Sequence, residues 1–332
     1  MRSKKRNNNG LKIFVSILAI LVIGILGYIY SIYANVKDSM DTAYTPVEVE
    51  TFRTSNTGTV ADSSEDEESR TNAGAMTPSE LLEAGEPVSI LLLGVDTGDL
   101  GRTEQGRSDS MVVVTINPHT QKTTLLSIPR DTYTEIVGYG TSDKINHAYA
   151  FGGTAMSINT VQQMLDIPID FYVMVNMAGI QEIVDAVGGI TVESPLTFNQ
   201  NGYDFVQGTN QLDGEAALAF ARMRYEDPAG DTGRQGRQRL VIEAVIRKLA
   251  TPETLLNYQA VLETLSANMQ TSFQLSDFYT LQNKKYLGAV DNIAQQQLGG
   301  TGGMMNDIYY NFVDDTELTR VHDLLQAELE LE

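Results

Sequence analysis

The chain has 332 residues, with 23 Lys and Arg against 43 Asp and Glu, and its formal net charge at pH 7 is −20. A field of that sign repels phosphate, which argues against a protein that coats DNA or RNA and means that an anionic ligand needs a local basic cluster. The chain has no cysteine, and its three histidines (His119, His147 and His322) lie far apart. This excludes disulfides, iron–sulfur clusters and thiol catalysis, and it disfavours a histidine-based zinc site or a Ser-His-Asp triad.

The N-terminal region contains a membrane-anchor pattern. Residues 13–33 are uncharged and apolar, which is long enough to cross a bilayer as a helix. A cleaved signal peptide is the alternative, but the run is long for one and no clear cleavage site follows it. The positive-inside rule then predicts a single-pass cell-membrane protein, with residues 1–12 as a cytoplasmic tail and the rest outside the cell. The tail is basic through Arg2, Lys4, Lys5, Arg6 and Lys12.

The segment after the anchor, residues 34–86, is rich in Thr, Ser, Asp and Glu and shows little apolar periodicity. Such a composition does not repay the entropy of ordering, so we expect an acidic, flexible stalk. A short helix is expected from Pro78. The folded extracellular domain is predicted over residues 87–332.

Within that domain, strand patterns alternate with helix patterns, which predicts an α/β fold with a mixed central sheet, layered α/β/α. A hairpin turn is expected at 117–120 and a small hairpin over 202–208. The glycine-rich segment 299–303 resembles a phosphate loop only superficially and is expected to be a flexible loop. Strands are predicted over 88–95, 110–116, 123–128, 171–175 and 190–192, and helices over 154–165, 177–187, 213–221, 233–250, from 251, over 276–287 and over 315–331.

Two acids follow or precede predicted strands. The apolar run 88–95 delivers Asp96 at its C-terminal end, and Asp109 lies just before the next strand. Two carboxylates at neighbouring strand ends can share one divalent cation, and oxygen ligands select Mg²⁺ or Mn²⁺. The alternative is a pair of loop-capping acids on an acidic surface.

Two further segments carry polar groups beside predicted strands and helices. Arg130 follows a strand and Pro129, a position that faces the strand-end crevice where α/β proteins bind ligands; a structural ion pair is the alternative. Lys144 begins a segment that ends in Gly152-Gly153 before a helix, whose N-terminus could receive an anion. An ordinary turn and helix, with His147 capping or half-buried, is equally compatible.

The richest cluster spans residues 222–239, where five arginines fall within 18 positions. If residues 222–225 are extended, Arg222 and Arg224 share a face, while Arg234 and Gln238 share a face of the next helix. Guanidinium pairs bind phosphate in a bidentate manner, so this concentration in an acidic protein indicates an anion site, most simply for a diphosphate. The alternative is a solvated basic helix face.

Together these segments resemble the LytR-CpsA-Psr (LCP) family of bacterial cell-envelope proteins. They occur in the order and spacing of that family, after a single N-terminal anchor, and the resemblance covers roughly residues 87–290. The one atypical feature is a longer loop between the two acids, at residues 99–104. The matching segments are LLLGVD (91–96), GRSDSM (106–111), SIPRDTY (127–133), KINHAYAFGG (144–153), AVGGITV (186–192), LDGEAALAFARMR (212–224) and DTGRQGRQ (231–238).

The resemblance implies a fold and an activity. The fold would be an α/β/α sandwich with an apolar lipid pocket. The protein would be a membrane-anchored phosphotransferase on the outer face of Gram-positive bacteria. It would move a glycopolymer (teichoic acid, capsule or another wall polysaccharide) from undecaprenyl diphosphate to a hydroxyl of peptidoglycan, forming a phosphodiester bond.

The resemblance also implies roles for single residues. Asp96 and Asp109 resemble the magnesium-associated acids, with Mn²⁺ as a possible substitute. The proton acceptor is either Asp96 or Asp231, and the sequence does not choose between them. The diphosphate-binding set comprises Arg130, Arg222, Arg224, Arg234 and Gln238, with Arg107 and Lys144 inside matching motifs, and the catalytic set comprises Asp96, Asp109, Arg130 and Asp231.

Three other functions remain open at this point. A hydrolase would use the same site with water as the acceptor, and a non-catalytic polyprenyl-phosphate carrier or assembly factor would bind lipid without chemistry. A transcriptional attenuator, the family's older description, is implausible as a direct DNA binder because the cytoplasmic tail is too short for a DNA-binding fold. Any polyprenyl channel is expected along helix 154–165 and strand 171–175, although apolar residues in such positions are more often plain core.

Overall fold

The computed structural model describes residues 34, 37–38, 40–47, 76–96, 105–251, 253–254, 269–282 and 284–331. The predicted span 13–33 and most of the predicted stalk lie outside these residues. Within them, no helix combines the length and apolarity needed to cross a membrane.

The strands form wherever β-branched and aliphatic residues run between turn residues. β1 matches the predicted range, β2 and β6 run slightly past theirs, and β3 begins and ends one residue earlier than predicted. The strands are β1 Val88–Val95, β2 Ser108–Asn117, β3 Lys122–Ser127, β4 Tyr133–Ile136, β5 Thr141–Lys144, β6 Phe171–Asn176, β7 Ile190–Ser194, β8 Phe198–Gln200, β9 Tyr203–Phe205, β10 Gly208–Leu212, β11 Met269–Thr271, β12 Ile293–Gln297, β13 Thr301–Met305 and β14 Ile308–Phe312.

Side-chain caps define several helix starts. Thr77 and Glu80 form a capping box at the first helix, and the Asp213 carboxylate accepts from the amide of Ala216, as the sequence predicts. The helices are α1 Pro78–Ala84, α2 His147–Leu165, α3 Met177–Ala186, α4 Gly214–Arg222, α5 Gly230–Leu249, α6 Leu275–Leu281, α7 Lys284–Leu287 and α8 Asp315–Leu329, with a 3₁₀ turn at Gly288–Asp291.

The central sheet has six strands in the order β11-β6-β1-β2-β3-β12. β1 runs parallel to β6, and β3 parallel to β12, while the other neighbours are antiparallel. The prediction of an α/β fold with a mixed central sheet is therefore confirmed.

Helices cover both faces of this sheet. One face packs Leu91, Leu93 and Met111 against α2 and α8, through Val161 and Leu325. The opposite face packs against α1, α6 and α7. A third apolar cluster joins α3, α4 and α5 beyond the β6 side. The layers place the C-terminal end of β1 and the start of β2 at one end of the sheet, where the predicted acids lie.

The expectation of a stalk over 34–86 is wrong for its described parts. Met40 and Ala43 are buried in the cluster formed by α3, α4 and α5, and Tyr44 pairs with Thr271 of β11. Leu82 of α1 is buried against the sheet. Composition misled here because a few apolar residues suffice to hold a short segment in an existing core.

Two other local expectations change. Residues 301–303 of the glycine-rich segment lie in β13, the first strand of the hairpin β13–β14, rather than in a loop, and the hairpin β4–β5 was not predicted. The Gly152-Gly153 turn is confirmed, since α2 breaks there and Gly153 has φ 66° and ψ −151°. Only glycine adopts that conformation readily.

Candidate active site

A β-bulge orients the two predicted metal-binding acids. Gly94 pairs with Ser110 and Val95 with Ser108, so Asp109 is the extra residue without an opposite partner. The bulge re-aims its side chain, as bulges beside active sites commonly do. Asp96 follows β1 directly, and its Oδ1 accepts a hydrogen bond from the backbone amide of Arg107 at 2.6 Å. The acids therefore emerge from adjacent strands at one end of the sheet.

Arg130 reaches this bulge from the end of β3. Its Nη1 donates to Oδ1 of Asp109 at 2.8 Å, and its Nε lies 3.8 Å from Oδ2 of Asp131. Burial by itself would lower the pKa of Arg130, but the charges of Asp109, Asp131 and Asp231 outweigh burial and raise it. The guanidinium stays charged in a partly enclosed position between three carboxylates.

Asp231, in the first turn of α5, joins the arginines of the 222–239 cluster. Arg234 donates from Nε to Asp231 Oδ1 at 2.9 Å, and Gln235 donates from Nε2 to Oδ2 at 2.9 Å. The Nε of Arg224 lies 3.8 Å from the same Oδ1. Burial raises the pKa of Asp231, but the charges of Arg234 and Arg130 and the hydrogen bonds from Gln235 and Arg234 lower it below its ordinary value overall. Because it stays ionised, Asp231 suits orientation of arginines better than proton uptake.

Arg222 and Arg224 are both exposed at the end of α4. The assumption that 222–225 is extended is wrong for Arg222, which is the last helical residue; Met223 leaves the helix with ψ 134°, and Tyr225 lies in a turn. Gln238 is half-buried on α5. The two exposed guanidiniums remain accessible to an anion from solvent.

Lys144 and Arg107 are the remaining basic residues of the predicted site. Lys144 Nζ pairs with Asp131 Oδ1 at 2.7 Å, so it connects to Arg130 through a shared acid. Arg107 contributes its backbone amide to Asp96, and its side chain is exposed. Contacts thus join Asp109, Arg130 and, through Asp131, Lys144 at the bulge, and they join Asp231, Arg224 and Arg234 at the start of α5, while Arg130 also feels the charge of Asp231. These residues, with Asp96, Arg107 and Arg222 close to them in the chain, are the candidate site.

Three neighbours of this set were not predicted from the sequence. Asp131 joins Arg130 to Lys144, and Gln235 holds Asp231. The signal for Gln235 was present, because an acid four residues earlier on a helix places both on one face. Arg237 is fully buried, and it bonds to the carbonyls of Phe220 and Met223 and to the carboxylate of Asp227.

The donor chemistry fits a magnesium ion only as part of a larger ligand set. Among the described residues, no three His, Cys, Asp or Glu side chains come together as a metal site. Mg²⁺ is, however, usually held through one or two carboxylates completed by water and substrate phosphate. Asp96 and Asp109 supply such a pair of oxygen ligands, and the Asp109 side chain is 26% exposed.

The local charge balance differs from that of the chain. The set contains six basic side chains against four acids, a net of +2, in a protein of formal charge −20. The cluster therefore attracts an anion within an otherwise repelling field. The basic members are Arg107, Arg130, Lys144, Arg222, Arg224 and Arg234, and the acids are Asp96, Asp109, Asp131 and Asp231.

The mixed α/β fold and the arginine-lined site define a protein built to bind an anionic ligand, and comparison with known proteins gives the family. The sequence matches the LytR_cpsA_psr family over residues 49–327, and the chain belongs to this family. It is 44% identical over 325 residues to the "Polyisoprenyl-teichoic acid--peptidoglycan teichoic acid transferase TagU" of Enterococcus faecalis, covering 97% of this chain and 99% of the relative.

Two solved structures are similar over the folded domain. The crystal structure of Bacillus subtilis TagU has a TM-score of 0.61 at 41% identity, covering 74% of this chain and 98% of the other. The structure described as "TagT bound to LIIa-WTA" has a TM-score of 0.65 at 30% identity, covering 78% and 95%. Both likenesses are close enough in sequence to support the family as well as the fold.

Proposed function

We propose that the protein is a membrane-anchored phosphotransferase that moves a teichoic acid or a similar wall glycopolymer from polyprenyl diphosphate to peptidoglycan. The observation that carries this proposal is the linked set of Arg130, Arg224 and Arg234 around Asp231, beside the two acids of the bulge. Such a set neutralises a diphosphate, and the names of the relatives supply the donor and the acceptor.

In this proposal the arginines act on the diphosphate of the donor. Arg130 and Arg234 are held in place by carboxylates before substrate arrives, so that little reorganisation is needed on binding. Exposed Arg222 and Arg224 add donors from the solvent side. Mg²⁺ held by Asp96 and Asp109 would neutralise part of the phosphate charge when bound.

The chemical step is an in-line displacement at phosphorus. A peptidoglycan hydroxyl attacks the sugar-side phosphorus, the bond from that phosphorus to the bridging oxygen breaks, and polyprenyl monophosphate leaves with that oxygen. The proton of the hydroxyl passes to a carboxylate. Since Asp231 is committed to three arginines and has a lowered pKa, we assign proton acceptance to Asp96.

The apolar residues expected along a lipid channel pack in the sheet core. Val161 and Leu165 of α2 contact the cluster that contains Tyr172 and Met174 of β6.

The test measures transfer from a short undecaprenyl-diphosphate-linked glycan to peptidoglycan oligomers, with the full-length protein in nanodiscs, with and without Mg²⁺. We expect the double variant Arg222→Ala/Arg224→Ala to lose at least about 100-fold in transfer, because donors to developing charge contribute on that scale. The matched control is Arg247→Ala/Arg320→Ala, two half-exposed arginines paired within their own helices.

The products separate this proposal from its alternatives. Transfer that persists in a folded Arg222/Arg224 variant contradicts it. Release of sugar phosphate without acceptor indicates a hydrolase, and lipid binding without any product indicates a carrier. Asp96→Ala tests the acid pair and the Mg²⁺ dependence together.

A further inference from the structure

The segment just after the predicted membrane span is part of the folded domain. Met40 is 1% exposed and Ala43 0% exposed within the cluster of α3, α4 and α5. The amide of Thr45 donates to the carbonyl of Thr271 at 2.8 Å, and the hydroxyl of Tyr172 donates to the carbonyl of Thr45. Residues 40–45 thus extend the β11 edge of the central sheet.

The chain between the span and the domain is short. Tyr33 ends the predicted span, and Met40 follows seven positions later. Seven residues reach at most about 25 Å when extended, and about 10 Å when helical. Such a connection leaves no room for a stalk between the bilayer and the domain.

The acidic segment 48–75, which composition suggested as a spacer, cannot separate the domain from the bilayer. Val47 packs against one sheet face, and Leu81 and Leu82 of α1 pack on the other. The segment 48–75 therefore begins and ends on the same domain, so its length adds no distance from the membrane.

We propose that the β11 edge, together with residues 40–47, is seated directly on the lipid headgroups of the bilayer. This surface, the β11 edge with residues 40–47, is the membrane seat. If the protein is the transferase proposed above, the membrane seat also sets the side from which a lipid-borne donor reaches the domain. Only this part of the proposal rests on the proposed function.

A cavity opens between the membrane seat and the break in α2. It measures about 500 Å³ and is bounded by Val47 and Gln270 on the seat side, by Gly153 and Thr154 at the break in α2, and by Gln105. Gln105 lies two residues before Arg107, and its Nε2 donates to the carbonyl of Tyr149 at 2.6 Å. A donor that remains in the bilayer would therefore approach the diphosphate residues from this edge.

Because the chain has no cysteine, single labels test the seat cleanly. Gln270→Cys places a fluorophore on exposed β11, and Asp291→Cys places it on the exposed turn before β12. The five strand spacings between these edges amount to about 24 Å. The full-length protein is placed in nanodiscs whose headgroups carry a quencher. We expect clear quenching at position 270 and little at position 291; equal quenching at both positions, or the reverse order, overturns the proposal.

A linker variant separates the seat from the proposed function. A Gly/Ser linker of about 15 residues, with a mean reach of roughly 20 Å, is inserted after residue 36. We expect quenching at 270 to fall, and transfer from the bilayer-embedded donor to fall about tenfold as effective concentration drops. Transfer from a water-soluble short-prenyl donor should not change. If quenching at 270 survives the linker, the short connection is not what holds this surface on the bilayer, and that step of the proposal is overturned. If neither donor reacts even in the unmodified protein, the proposed function is wrong. The quenching at positions 270 and 291 still tests whether the membrane seat lies on the headgroups.

Discussion

Arg234 and Arg237 lie three positions apart on α5, and the structure uses the same side chain in opposite ways. Arg237 is fully buried, and it donates to the carbonyls of Phe220 and Met223 and to the carboxylate of Asp227. Arg234 pairs with Asp231, which also faces Arg130 and Arg224. Arg237 is fully enclosed and bonds only to the fold, whereas Arg234, with a side chain that is 10% exposed, pairs with an Asp231 that is 25% exposed and faces the other arginines of the candidate site.

The difference shows that one arginine of the 222–239 cluster, Arg237, holds in place the backbone that carries another, Arg224. The contacts of Arg237 fix the segment that leaves α4 and turns into α5, because they hold both its start at Met223 and its turn at Asp227. Arg224 stands on that segment. A buried ion pair of this kind adds little net stability over an apolar pair, yet removing one partner leaves a buried charge, which is costly.

The largest expected effect follows from removing that support. Arg237→Met leaves the Asp227 carboxylate buried without its partner, and we expect the free energy of unfolding to fall by about 3 to 5 kcal/mol. Urea denaturation of the full-length protein in detergent measures it. Arg234→Met is the matched control, with a loss below about 2 kcal/mol, because the Asp231 carboxylate left behind is 25% exposed and keeps its hydrogen bond from Gln235. Equal free energies of unfolding for the two variants would contradict the view that Arg237 supports the fold and Arg234 does not.

The sequence predicted the fold where patterns were long and periodic. The run 88–95 and the helix patterns of α2, α3, α5 and α8 carry enough apolar residues to indicate their faces. The pattern gave no indication that Met40 and Ala43 are core residues, because two buried side chains in a polar stretch produce no period. The hairpin β4–β5 was missed since its strands have only four residues each and are largely polar.

The site residues could be predicted by type but not by role. Spacing indicated that arginines concentrate at 222–239, and the structure brings Arg224 and Arg234 to Asp231. Spacing could not separate Arg237 from them, because burial depends on the tertiary contact with Phe220 and Asp227. The bulge that re-aims Asp109 is likewise a property of the pairing of β1 and β2, not of either strand alone.

An intermediate effect is expected at the acid that joins the accessible arginines. Asp231→Asn keeps the size of the side chain but removes its charge, so Arg130, Arg224 and Arg234 lose their common partner. We expect transfer to fall about 100-fold, as misplacement of positioned groups does. Transfer from the undecaprenyl-diphosphate-linked glycan to peptidoglycan oligomers measures this fall. Activity within a factor of about three of the wild type would contradict an orienting role for Asp231.

The same variant has a pH signature with a definite sign. The pKa of Asp231 is lowered in the folded state, so its contribution to stability is complete above the ordinary carboxyl pKa of 3.8 and is lost as the pH falls through the lower folded value. The amide that replaces this carboxylate in the variant cannot titrate. The stability difference between wild type and variant should therefore be largest at neutral pH and shrink below pH 3.8. Thermal unfolding at a series of pH values measures this difference.

The smallest expected effect concerns Gln235, which touches Asp231 but has no charge. Gln235→Leu removes the hydrogen bond from Nε2 to Oδ2, and it also removes an Oε1 that is buried without a hydrogen-bond partner. Folding should change by no more than about 1 kcal/mol, because a lost hydrogen bond and a lost unsatisfied acceptor offset each other. Transfer at neutral pH should fall about threefold or less, since the arginines still keep Asp231 ionised.

The informative readout for Gln235 is the pH profile of transfer. Without that hydrogen bond the pKa of Asp231 moves upward, so the acid limb of the profile should shift to higher pH. Gln238→Leu is the matched control on the same helix: it should lower transfer without moving the acid limb, because Gln238 belongs to the proposed diphosphate contacts rather than to Asp231. An acid limb that stays in place in Gln235→Leu would mean that Asp231 is held by its arginines alone, and that the accessible cluster needs no uncharged support.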